Sequence, residues 1–345
     1  MSRVKESTQT EVWTRKKGQM RRIRNRAVIG ISALSAFAVL SACGGDTIKN
    51  SDAGGTGSGE DCGDLSMAIN PWVGYEADAH VVGQVAATQL GCTVTYKDLD
   101  EQISWKGFGT GEVDVVIENW GHPELQAKYM KAAGGDGSAV DLGLTGNEGI
   151  IGWYVPPWMA DKYPDITDWQ NLNKYSDLFK TSESGDQGTL YDGDPGFVTN
   201  DEALVKNLDL NYKVVFAGSE TALIEGFRKA EENKTPYLAY FYEPQWFLSE
   251  VPLVKIDLPP YKPDCDSDPE QVDCDYPVYH LNKVASSDWA DSGSPAVDLV
   301  KNFGWTNEDQ NLVAKYIAED GMDPNDAADK WIADNQDKVD AWLGS

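Results

Sequence analysis

From residue 66 onward the chain alternates short apolar runs with stretches of helical period. Residues 66–69 are apolar and end at Asn70-Pro71, after which Ala77, Val81, Val82, Val85, Ala86 and Leu90 recur at helical spacing. Residues 93–96 then predict a strand, 103–108 a helix and 113–117 a buried strand. The middle of the chain repeats the pattern. Residues 150–155 predict a strand running into Pro156-Pro157, 199–208 a helix opened by a capping box (Thr199, Glu202), and 213–216 a strand. Leu223, Ile224, Phe227 and Ala230 mark a helix over 221–232, and 237–242 reads as a strand. The last quarter is helical over 297–303, 307–319 and 331–343. No tandem repeat or coiled coil interrupts this order.

Strands alternating with helices predict βαβ units and a mostly parallel sheet. The expected organisation has one α/β lobe starting at residues 62–150, a second lobe over 151–255, and a return to the first lobe over 256–345, with 253–256 carrying the chain back. Two crossing segments make a hinge, and ligand is expected in the cleft between lobes, at the carboxyl ends of the strands.

The N-terminus changes where this fold must work. Nine Lys or Arg precede an uncharged stretch, 27–42, that closes on Leu40-Ser41-Ala42-Cys43. This is the layout of a bacterial lipoprotein signal over 1–42, with Cys43 as the lipid-modified first residue of the mature chain. The apolar run is short for a membrane span. Residues 43–61, rich in Gly, Ser, Thr and Asp, read as a flexible tether. The predicted localisation is the outer face of the cell membrane.

Without the first 42 residues, which hold nine of the 29 bases and two of the 56 acids, the remainder carries 20 Lys and Arg against 54 Asp and Glu. A net charge of −34 over 303 residues excludes nucleic acid as a partner and draws cations in. Four cysteines remain, Cys62, Cys92, Cys265 and Cys274, in a compartment where disulfides persist. Cys265 and Cys274 bracket a polar loop and form the natural local pair, which leaves Cys62 for Cys92. No CxxC spacing supports zinc, and His80, His122 and His280 are scattered. No metal or cofactor is expected.

The candidate chemistry lies where strands end. The first strand runs into Asn70-Pro71-Trp72-Val73-Gly74-Tyr75-Glu76, the third into Glu118-Asn119-Trp120, and a strand of the second lobe into Tyr240-Phe241-Tyr242-Glu243-Pro244-Gln245-Trp246. Ring faces carry negative quadrupole charge, so several rings around one point form a box for a cation that cannot donate hydrogen bonds. Position singles out Trp72, Trp120 and Tyr242, while Trp105, Trp153, Trp158, Trp169, Trp289, Trp305, Trp331 and Trp342 are assigned to packing. Phe197 precedes a predicted helix start, whose N–H groups at Val198, Thr199 and Asn200 suit a carboxylate unless the capping box consumes them. Glu76, Glu118 and Glu243 lie beside the site, either facing a cation or pointing to solvent.

Through these segments and Gly152-Trp153-Tyr154-Val155-Pro156-Pro157-Trp158, the chain resembles the glycine betaine/choline/proline-betaine binding lipoproteins of ABC uptake systems, actinobacterial members above all. The likeness runs from about Gly63 to Leu343. It implies an α/β, two-lobed, type II periplasmic-binding-protein-like fold and a three-ring ammonium box. By position the box rings are Trp120, Phe197 and Tyr242, with Trp72 and Trp246 as further walls. Only one box position is Trp here. His122 falls two positions off the register of a histidine that binds carboxylate in relatives, and Glu124 lies nearer, so the anchor rests on the N–H groups of Val198 and Thr199. The implied function is a monomeric, non-enzymatic receptor that delivers a quaternary ammonium solute to an ABC permease and its ATPase. The alternatives are an extracellular hydrolase, for which no GxSxG or HExxH motif is present, and a sensory or adhesion lipoprotein on the same fold.

Overall fold

The computed structural model describes residues 62–344 together with a two-residue strand, Thr47–Ile48. The signal segment, Cys43 and most of the tether lie outside the described residues. Among the described residues ten strands form one sheet: β1 Thr47–Ile48, β2 Asp64–Ile69, β3 Thr93–Asp98, β4 Val115–Asn119, β5 Ala139–Val155, β6 Gly188–Asp192, β7 Tyr212–Phe216, β8 Ala239–Glu243, β9 Val254–Lys255 and β10 Val278–Ser286. Their order is β1-β3-β2-β4-β10-β5-β8-β6-β7, with β9 pairing β5.

Two parallel trios sit at either side of this sheet, β3-β2-β4 and β8-β6-β7. The apolar runs on both faces of β2 and β4 explain why these strands were predictable, since parallel strands are covered on both sides. Helix Val73–Gln89, buried along most of its length, fills the layer between β2 and the C-terminal helices Asn307–Ala318 and Pro324–Asp334. On the other half, helix Glu220–Asn233 buries Leu223, Ile224, Phe227 and Ala230. The fold is the expected two-lobed α/β type.

The centre of the sheet departs from the sequence expectation. The trios are joined by β5 and β10, which pair with each other, with β4 and with β8 in antiparallel fashion. Only 150–155 of β5 was expected, because Gly143, Gly146, Asn147 and Gly149 read as a loop. β10 was missed altogether: His280, Asn282 and Lys283 mask its period. Lys283 is nevertheless buried, its ammonium donating to the carbonyls of Lys301 at 3.0 Å and Phe303 at 2.6 Å. Residues 253–256 do not cross back; β9 pairs with the end of β5 at Tyr154 and Val155. The expected C-terminal helix 331–343 is two helices, Pro324–Asp334 and Gln336–Trp342.

Disulfides join Cys62 to Cys92, tying the start of β2 to the start of β3, and Cys265 to Cys274, closing a loop between β9 and β10. Among the described residues no helix is long and apolar enough to cross a membrane.

An aromatic cleft as the candidate binding site

A cleft of about 880 Å³ opens where the carboxyl ends of both trios face one another. Trp72 enters it from the turn after β2, where it caps helix Val73–Gln89, and Trp120 from the residue after β4. Tyr240 and Tyr242 alternate along β8 and so share one face, whereas Phe241 points into the core against Phe227 and Phe247. Phe197 reaches in from the loop after β6, and Tyr279 from β10.

These rings touch. Ring centroids lie 5.8 Å apart for Trp120–Tyr242, 6.5 Å for Phe197–Tyr242, 5.8 Å for Trp72–Phe197, 6.1 Å for Phe197–Tyr240 and 5.6 Å for Trp120–Tyr279. Two glycines make room for them. A Cβ on Gly149 of β5 would stand 2.4 Å from the Trp120 ring, and one on Gly193 would stand 2.5 Å from Phe197. No real side chain tolerates such distances, so both rings are seated by the absence of one.

Polar partners fix the rings from behind. The Glu118 carboxylate accepts the indole N–H of Trp72 at 2.9 Å and of Trp120 at 2.6 Å on Oε1, and the Gln310 amide at 2.7 Å on Oε2. Glu220, buried at the start of its helix, accepts the Tyr242 hydroxyl and the Gln245 amide on Oε1, and the Val73 backbone N–H at 3.0 Å on Oε2. Glu220 thereby links the two halves of the molecule. Burial raises its pKa above the ordinary carboxyl value against the lowering effect of these hydrogen bonds.

The rest of the wall is polar and acidic. Glu101, His122, Glu124, Asp264 and Asp266 line the cleft, and among the described residues no lysine or arginine does. Tyr261, Asp264, Asp266, Ser267 and Pro269 come from the loop around the Cys265–Cys274 bridge. His122 Nε2 lies 2.7 Å from Glu101 Oε1, both side chains being buried. Burial alone would lower the His122 pKa, but the charge and hydrogen bond of Glu101, with Glu124, raise it above 6.5. A base whose pKa is raised on folding contributes stability that is complete below its unfolded value and fades as pH climbs through the folded one. Melting temperature should therefore fall for the native protein as pH rises above about 6.5, and by less in His122→Gln. Parallel curves for the two proteins would show that the pair does not titrate this way.

The structure gathers Trp72, Trp120, Phe197, Val198, Thr199 and Tyr242 around the cleft. Trp246 stands elsewhere, lining a second recess of about 450 Å³ with Glu76. The expected capping box does not form. The helix begins at Asp201, and Thr199 Oγ1 donates to the buried Asp192 at 2.7 Å instead of capping. The Asn200 N–H is taken by the Tyr276 hydroxyl at 2.7 Å, while those of Val198 and Thr199 have no hydrogen-bond partner among the described residues. Sequence reasoning passed over Tyr240, although its alternation with Tyr242 places both on one face. Tyr279 lay on the unexpected strand, and nothing local marks Glu101 or Glu220 as buried.

Comparison with known proteins agrees with this architecture. A family model described as the substrate-binding domain of ABC-type glycine betaine transport systems matches residues 63–334. The chain belongs to this family. As a member of the glycine betaine transport family it is a substrate-binding protein and not an enzyme, so the hydrolase alternative falls away. It is 26% identical over 280 residues to a trimethylamine N-oxide-binding protein of Pelagibacter ubique, covering 79% of this chain and 88% of that one. A glycine betaine/carnitine transport binding protein of Listeria monocytogenes is 28% identical over 124 residues, 36% of this chain and 37% of that one. Among solved structures, lactococcal OpuAC in closed form with glycine betaine superposes with a TM-score of 0.62 at 20% identity, over 81% of this chain and 99% of that one. A choline binding protein of an ABC transporter, in complex with choline, gives a TM-score of 0.67 at 17% identity, over 82% and 92%. These two likenesses concern the fold.

Proposed function

We propose that the cleft traps a quaternary ammonium solute of the glycine betaine or choline type and that the protein delivers it to an ABC permease driven by an ATPase. The observation that carries this reading is a set of aromatic rings, contributed by both halves of the sheet, around one acidic cleft that no lysine or arginine among the described residues enters. A methylated nitrogen cannot donate hydrogen bonds, so ring faces and diffuse negative charge are what bind it. Trp72 and Trp120 come from the half built on β2 and β4, Phe197 and Tyr242 from the half built on β6 and β8. Closing the halves completes the box, which gives the closed state its differential affinity. On this reading the first lobe is 62–150 with the C-terminal helices, the second is 151–255 with the loop that leads to β10, and β5 and β10 are the segments that cross between them.

The polar end of the solute lies toward the free N–H groups of Val198 and Thr199, the His122–Glu101 pair and the Tyr240 hydroxyl. Calorimetry with glycine betaine, choline, carnitine and trimethylamine N-oxide tests the reading. At least one is expected to bind and to quench Trp fluorescence, and silence from all four would refute it. Equal affinity for glycine betaine and choline would remove Val198 and Thr199 from the site. The name of the Pelagibacter relative supports including the N-oxide.

The working location is the outer face of the membrane, through lipid on Cys43, with the protein acting as a monomer. Cys43→Ser is expected to move the protein from the membrane fraction to the medium, and retention would speak for an uncleaved anchor.

A further inference from the structure

Glu118 is 1% exposed and sits behind the aromatic cleft, outside its lining. It receives the indole N–H of both tryptophans that line the cleft on a single oxygen, at 2.9 and 2.6 Å. Its other oxygen receives the Gln310 amide at 2.7 Å. Gly74 makes that approach possible, since a Cβ there would stand 2.5 Å from the Gln310 nitrogen. Three N–H donors, two indoles and an amide, reach this carboxyl, a set that suits a form which only accepts. The neighbouring buried Asp78 has its own pKa pushed well above its ordinary value, by burial first and by Glu118 next.

Resting on the reading of the cleft as a quaternary ammonium site, we propose that Glu118 is a positioning residue whose negative charge sets the preference of the box for a cation. Donation of an N–H to a carboxylate moves electron density into the indole and deepens the negative face that a cation meets. A buried charge behind the rings is poorly screened, so its field also reaches the cleft. One side chain thus orients two rings from different segments and makes both better cation acceptors. A purely geometric peg would do the first and not the second.

The test pairs whichever of choline and glycine betaine binds more tightly with its tert-butyl isostere, in which carbon replaces the nitrogen. Affinities are measured by competition on the full-length protein and on Glu118→Gln, which keeps the shape and loses the charge. The expected result is a loss of at least about tenfold for the ammonium compound and less than about twofold for the isostere. Equal losses, or no loss for the ammonium compound, overturn the proposal. If Glu118→Gln does not fold, the indole N–H proton resonances of Trp72 and Trp120 in the native protein decide it. Both are expected downfield of the other indoles, and positions among them overturn the charge-assisted bonds. A native protein that binds neither ammonium compound overturns the reading of the cleft itself.

Discussion

Trp120→Ala is expected to weaken binding of a quaternary ammonium solute by at least tenfold, or about 1.4 kcal/mol. A desolvated cation–π contact is worth about 0.5–2 kcal/mol, and Trp120 meets both Tyr242 and Tyr279, so its removal opens two corners of the box at once. The same change costs stability. Truncating a buried Trp typically costs about 3–5 kcal/mol, and Glu118 loses one of its three N–H donors. Calorimetry on protein shown by circular dichroism to be folded separates the two effects. Trp120→Phe restores a ring face without the N–H and should recover part of the affinity. Affinity unchanged in Trp120→Ala would take the residue out of the box.

Such a result would also measure how much of the site can be read from sequence. The positions of Trp72, Trp120 and Tyr242 were legible because a strand's end is marked by where its apolar run stops, and ligands of α/β sheets gather there. Phe197 was legible through the turn that carries it. The helix–strand alternation that builds both trios was equally plain, since β2 and β4 are apolar on both faces. What failed was everything whose polarity is compensated at a distance. Lys283 hides β10 because the carbonyls of Lys301 and Phe303, far along the chain, satisfy its ammonium. Thr199 looks like a helix cap until Asp192 is seen beside it. Nothing local marks Glu118 or Glu220 as buried. Their burial depends on donors from residues as distant as Gln310 and Val73, and no local pattern encodes such partners.

Glu220 shows what that distant compensation does for function. Tyr242 and Gln245 belong with β8 and its following turn, while Val73 opens the helix after β2, beside Trp72. The carboxyl therefore holds a ring of the box from one half and the helix start of the other half in a single hydrogen-bonded knot. Glu220→Ala would strand the Tyr242 hydroxyl, the Gln245 amide and the Val73 N–H without this acceptor. Each buried donor left unsatisfied costs about 1–3 kcal/mol. Of the three, the Val73 N–H is the one that comes from the other half, so in an opened molecule water satisfies it and its penalty falls on the closed state. A penalty of about 3 kcal/mol on closure alone corresponds to more than a hundredfold in apparent affinity, and the expected loss for a quaternary ammonium solute lies between about tenfold and that limit. Small-angle scattering should show the saturated native protein contracting and the variant staying extended at the same solute concentration. Glu220→Gln retains one acceptor and should fall between the two. Contraction and affinity equal to the native protein in Glu220→Ala would mean that the halves close without this link, and that the rings alone hold them together.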